Sequence, residues 1–136
     1  MSARGAIENV LNRYSIAYDD NDMSEMTDTF TDDAVMTLRI ADGDLIGPFD
    51  GKEAIMKLMV DSLASQTDQR RHVTTNMAVR SEDGDSAKVS SYRTLISVKD
   101  GKATLLSTAR YDDELIREED GAWRFTKRHI ELDLPY

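Results

Sequence analysis

Residues 70–133 read RRHVTTNMAVRSEDGDSAKVSSYRTLISVKDGKATLLSTARYDDELIREEDGAWRFTKRHIELD, and this stretch decides the fold. Apolar and polar residues alternate through it with a period of two. Asp83-Gly84, Asp100-Gly101 and Asp120-Gly121 interrupt that alternation with the chemistry of tight hairpin turns. The spacing predicts four antiparallel strands at roughly 71–81, 86–98, 103–117 and 122–133, long enough to twist and bend strongly. On the first strand Val73, Met77 and Val79 are expected to oppose His72, Thr74, Asn76 and Ala78; on the third, Leu105 and Leu106 point to opposite faces. One face would line an interior. The other would be covered by a second copy in a homo-oligomer, dimer or trimer, that buries Leu106, Ile116 and Ile130.

Upstream the period lengthens to that of a helix. Ile7, Val10, Leu11, Tyr14 and Tyr18 share one face of a helix from Ser2 to Asp19, with Ser2 as its N-cap. Asp22 caps a second helix carrying Met23, Met26 and Phe30 on one face, which Thr31-Asp32-Asp33 is expected to close. Ala34 to Ile40 reads as a strand, Ala41-Asp42-Gly43-Asp44 as a hairpin turn before Leu45-Ile46, and Gly47 to Gly51 as a loop. A third helix places Ile55, Leu58, Met59 and Leu63 on one stripe. The fold class is therefore α+β, with three N-terminal helices packed in a curved antiparallel sheet and one domain over residues 1–136.

Composition narrows the function. With 26 acidic and 17 basic residues the net charge is -9, and no basic run exceeds a pair such as Arg70-Arg71 or Lys127-Arg128, which argues against nucleic acid as a partner. Cysteine is absent, so disulfides, thiol nucleophiles, zinc ribbons and iron–sulfur clusters are excluded. No apolar run approaches the ~20 residues of a membrane span, and the first residues do not read as a signal peptide; no membrane partner and a cytoplasmic location are expected. Phosphate-binding glycine loops, nucleophile elbows and His-Glu-x-x-His strings are also missing, so no cofactor is expected. What remains is acid–base chemistry on a small apolar or aromatic substrate.

Five strings carry a resemblance to a known family: Ile16-Ala17-Tyr18-Asp19, Phe30-Thr31-Asp32-Asp33-Ala34-Val35, Gly51-Lys52-Glu53-Ala54-Ile55, Arg71-His72-Val73-Thr74-Thr75-Asn76 and Gly121-Ala122-Trp123-Arg124-Phe125. With the order of elements they make the chain resemble the SnoaL-like branch of the nuclear transport factor 2-like superfamily, whose fold is a cone-shaped α+β barrel. The strings around Phe30, Gly51 and Trp123 speak of fold alone. Those around Asp19 and His72 resemble scytalone dehydratase and the γ-hexachlorocyclohexane dehydrochlorinase, both of which use an Asp at the end of the first helix and a His near the start of the first long strand. The resemblance implies a catalytic dyad of Asp19 and His72, a Tyr18-Asp19 pair like that of scytalone dehydratase, and an active-site Arg128 like that of the dehydrochlorinase. Tyr14 stands where the dehydrochlorinase has a functional Lys, which argues against halide elimination.

The residues themselves fit those roles. A neutral imidazole takes a proton at neutral pH when a carboxylate holds its other nitrogen, and Asp19 would supply that carboxylate to His72. Tyr14 or Tyr18 could donate to a substrate carbonyl, as the oxyanion-hole Tyr of ketosteroid isomerase, a member of the same fold, does from the place matching Tyr14. No acid in Ala34-Val35-Met36-Thr37-Leu38 matches the base of that isomerase. Arg128 and His129 should face opposite sides of the last strand, which leaves one interior histidine and argues against a metal site. The expected activity is that of a cofactor-independent lyase, a dehydratase acting on a small cyclic or aromatic hydroxy-carbonyl compound. The alternatives are a non-catalytic ligand-binding or assembly subunit, as in ring-hydroxylating dioxygenase β subunits, and a polyketide cyclase.

Overall fold

The computed structural model describes residues 2–136; Met1, at the head of the expected domain, lies outside them. Ser2 caps α1 (Ala3–Asp19), its hydroxyl accepting the Gly5 N–H at 3.1 Å, and the helix buries Ile7, Val10, Leu11, Tyr14, Ala17 and Tyr18. Asp22 caps α2 (Met23–Asp28) through the Glu25 N–H. This helix ends earlier than expected. The Thr29 hydroxyl donates back to the Met26 carbonyl at 2.7 Å, and the Thr29 carbonyl accepts the Phe125 N–H at 2.8 Å. The chain is thereby captured into the sheet, so Thr31-Asp32-Asp33 belongs to β1 (Phe30–Ile40) and closes no helix. Pairing with a strand from the other end of the chain overrides the local capping chemistry.

At the hairpin turn Ala41 and Asp42 take φ of 48° and 60°, and the Gly43 N–H returns to the Ile40 carbonyl. The expected loop after it is largely a strand, β2 (Ile46–Asp50), which pairs antiparallel with β1 through Met36 and Phe49. Pro48 offers no N–H to a ladder and is tolerated because β2 is the edge strand. Gly51 follows at φ 94°, a conformation that favours glycine, and opens α3 (Lys52–Ala64), which buries Ile55 and Met59.

Four long strands complete the chain: β3 (Gln69–Asp83), β4 (Ser86–Lys99), β5 (Lys102–Arg117) and β6 (Trp123–Leu132). The six strands form one open sheet in the order β2-β1-β6-β5-β4-β3. Its helices pack against one face, and the buried apolar residues form a core running from Ile7 to Leu132. The expected all-antiparallel sheet is corrected at one junction, where β1 and β6 run parallel. No short hairpin joins these two strands, so nothing constrains them to be antiparallel. Among the described residues no helix is long and apolar enough to cross a membrane.

A bulge in β3 overturns the expected division of that strand. The register jumps between Thr75, opposite Tyr92, and Ala78, opposite Ser90, with Asn76 at φ 55°. The extra residue reverses parity. His72 and Thr74 face α1 before the bulge, Met77 and Val79 pack on the same core after it, and Asn76 is exposed. Ile130 is likewise corrected: it is 4% exposed within the core, leaving Leu106 and Ile116 half-buried and Leu105 exposed.

Candidate active site

Asp19 is held at the end of α1 by a defined stop. The Asp22 N–H donates to the Ala17 carbonyl at 2.8 Å, the Asn21 N–H donates to the Tyr18 carbonyl at 3.2 Å, and Asn21 takes φ 53°. These are the paired bonds of a Schellman motif, which fix the last turn and hence the direction of the Asp19 side chain. A carboxylate at the negative end of a helix dipole is unfavourable unless donors meet it. His72 supplies two. Its backbone N–H donates to Asp19 Oδ2 at 2.8 Å, and its Nδ1 lies 2.6 Å from Asp19 Oδ1.

Helix and strand meet rung by rung. One helical turn before Asp19, the Ser15 hydroxyl is 2.9 Å from that of Thr74, two residues beyond His72, while Gln69 Nε2 donates to the Asp19 carbonyl. The dyad is nearly enclosed, with side-chain exposures of 4% for His72 and 7% for Asp19. Burial pushes the His72 pKa below its ordinary 6.5, and the positive charges of Arg93 and Arg128 push the same way against the attraction of Asp19. The imidazole is therefore neutral at pH 7. With Nδ1–H donated to Asp19, its Nε2 carries the lone pair.

Tyr18 lies beside this base, its ring centroid 4.5 Å from that of His72 and its hydroxyl accepting from Gln66 Nε2. Burial raises its pKa, so it stays a phenol able to donate. A cavity of about 460 Å³ opens at this end of the molecule, lined by Tyr18, Asp19, Leu63, Gln66, Asp68 and Arg70 among others; His72 lies behind Asp19 and Tyr18 and does not itself line it.

Tyr14 and Arg128 belong to a second, sealed cluster. The Tyr14 hydroxyl meets Met59 Sδ at 3.9 Å, and its ring stands edge-on to Phe30, Tyr111 and Phe125. Arg128 has no exposure; its guanidinium carbon lies 3.6 Å from the Tyr111 ring centre, 4.1 Å from Tyr14 and 4.5 Å from Phe125. Its Nε is 3.1 Å from Asp113 Oδ1 without hydrogen-bond alignment. Desolvation pushes Asp113 up to about 7 despite that neighbour. Burial also raises Tyr14 well above the ordinary phenol value.

Residues 1–129 match the model of the SnoaL-like domain family. The chain belongs to that family. Its six-strand curved sheet with helices packed on one face is the nuclear transport factor 2-like fold. An uncharacterized protein of Mycobacterium tuberculosis is 28% identical over 130 residues, covering 94% of this chain and 84% of the relative. A Novosphingobium aromaticivorans protein provisionally assigned as an aromatic ring hydroxylase is 30% identical, with 97% and 90% of the two chains covered and a TM-score of 0.78. The β subunit of a provisionally assigned aromatic-ring-hydroxylating dioxygenase from the same organism superposes with a TM-score of 0.83 over 98% of this chain and 91% of that one. At 18% identity this shows the fold.

Within this SnoaL-like domain the dyad and Tyr18 come together, whereas Tyr14 and Arg128 meet each other deeper inside. His129 faces outward, between the Thr37 hydroxyl at 2.6 Å and Glu131 at 2.8 Å, so the two histidines do not converge. The reading from sequence missed Arg93, Tyr111, Asp113, Gln66 and Tyr136. Arg93 carried a signal: it shares parity with Val89, Ser91 and Leu95, all buried, so a charged side chain was bound to point inward.

Proposed function

We propose that the protein is a cofactor-independent lyase, a dehydratase acting on a small cyclic or aromatic hydroxy-carbonyl compound. The observation that carries this reading is the Asp19–His72 pair, whose two bonds fix the orientation of an imidazole with Nε2 free as base. In the reaction Nε2 takes a proton from the carbon next to the substrate carbonyl. The C–H electron pair becomes the new C=C bond, and the β-hydroxyl leaves as water with the proton that the imidazolium returns. Tyr18, packed on His72, is the nearer phenol to polarise the carbonyl; Tyr14 and Arg128 act from behind, Arg128 through its charge.

The decisive test is proton abstraction itself. Cyclic β-hydroxy ketones incubated in D₂O should gain deuterium at the α-carbon with the wild-type protein and not with His72→Ala, as followed by NMR. Absence of exchange with every tested ketone favours the second reading, a ligand-holding or assembly subunit, which the likeness to the Novosphingobium aromaticivorans proteins supports. Formation of a new ring from an open-chain ketone would instead indicate a polyketide cyclase.

The outward sheet face leaves Val73, Tyr92, Val98 and Leu105 exposed, and we infer a dimer or trimer built through it. Light scattering at micromolar concentration should give that mass; a monomer overturns the inference.

A further inference from the structure

Arg93 stands apart from the other buried charges. It is 3% exposed, its Nε and Nη2 are fully buried without a hydrogen-bond partner, and the groups acting on its charge are tyrosines, with no carboxylate among them. Against its desolvation stand the phenols of Tyr111 and Tyr136, and it lacks the carboxylate that normally accompanies burial of charge. What covers it is an aromatic ring. The guanidinium carbon lies 5.6 Å from the Tyr136 ring centre, and that of Arg70 lies 5.2 Å from the same ring. Arg70 lines the cavity beside Tyr18 and Asp19 and has its own carboxylate, Asp68, at 2.8 Å. From the cavity inward the order is thus Arg70, the Tyr136 ring and Arg93, whose charge reaches His72.

We propose that Arg93, with Arg70 at its outer edge, forms a seat for the anionic oxygen of an aromatic acid, and that the Tyr136 ring occupies this seat in the unliganded protein. Two cations on one ring suit a flat aromatic group, and the unsatisfied N–H groups of Arg93 suit a carboxylate. The inference rests on the reading of the cavity beside Tyr18 and Asp19 as a ligand site, and it narrows the substrate class to aromatic or polycyclic carbonyl compounds bearing an acid group.

Isothermal titration of 2-naphthoate against 2-naphthamide tests the seat without needing turnover. Wild-type protein should prefer the acid by about tenfold or more, the range for a charge-assisted bond. Arg93→Met should abolish the preference, His72→Ala should keep it, and Tyr136→Ala should tighten naphthoate. Equal affinity for the two probes, binding of neither, a preference that survives Arg93→Met, or no tightening in Tyr136→Ala overturns the proposal. If Arg93→Met fails to fold, Arg93→Gln makes the same comparison. Absence of deuterium exchange in the wild-type protein with its naphthoate preference intact would sink the lyase reading and leave the seat standing; the reverse result would remove the seat alone.

Discussion

Two buried acid–base pairs lie in the same sheet-lined interior, and they are built in opposite ways. Asp19 and His72 are aligned, doubly hydrogen-bonded and placed beside a cavity, with one imidazole nitrogen left over. Asp113 and Arg128 are in contact but unaligned, fully enclosed by three aromatic rings, and their polar atoms are unsatisfied. Charge burial alone therefore does not mark a reactive site. The aligned pair has a satisfied side and a free side, which is what proton transfer requires; the sealed pair has no free side to offer a substrate.

The largest effects of this contrast fall on turnover. His72→Ala and Asp19→Asn should each reduce α-proton exchange by about 10²–10⁴-fold while both proteins remain folded. Their double mutant should be little worse than either, because Asn would turn an amide N–H toward Nδ1 and so move the imidazole lone pair away from Nε2. Additive losses in exchange rates would show that the two side chains act separately.

The next effect belongs to the sealed pair and should appear as stability. Arg128→Ala strands Asp113 and opens a void among Tyr14, Tyr111 and Phe125, so a loss of about 3–5 kcal/mol is expected in urea titration. Arg128→Met, which refills the void and lets Asp113 become neutral, should recover part of it. Equal losses in the two variants would mean that charge pairing, and not ring packing, holds this region.

The pH dependences should run in opposite directions. The His72 value lies below 6.5 in the folded protein, so on acidification the unfolded chain takes up the proton first, and stability from this residue falls as pH drops through 6.5. The acid limb of the exchange rate should accordingly sit below pH 6.5. Asp113 is raised from 3.8 to about 7, so its contribution is full below the unfolded value and is lost as pH rises through about 7. Relative to wild type, Asp113→Asn should therefore gain in Tm between about pH 4 and pH 8. A constant Tm difference would show that Asp113 stays ionised in the fold.

Smallest is the rung behind the dyad. Ser15→Ala removes the bond to Thr74 and should cost about 1 kcal/mol with little change in exchange rate. A large rate loss without further destabilisation would mean that this rung, and not the Schellman stop, aims Asp19.

Local signals carried much of this architecture. The caps at Ser2 and Asp22, the apolar stripe of α1 and the Asp-Gly turns are short-range features, and the elements they announce lie close to where their spacing places them. The dyad was legible through its resemblance to a family, since nothing in the acidic run Asp19, Asp20, Asp22 distinguishes one carboxylate from the next by composition. Parity also separated Arg128 from His129. It failed on β3 because a bulge at Asn76 inverts the residues that follow until a second irregularity between Val79 and Ser81, and periodicity has no marker for an inserted residue.

The periods, the turns, the absence of thiol chemistry and the opposition of Arg128 to His129 follow from the order of residues alone, because each depends on neighbours a few residues apart; which face of β6 turns inward does not, as Ile130 shows. Long-range packing sets β1 parallel to β6, draws Thr31 to Asp33 into a strand, and seals Arg128 beneath three rings while His72 keeps a free nitrogen. Each of those outcomes is settled by contact between segments far apart in the chain, where the energy of pairing and burial exceeds any local preference.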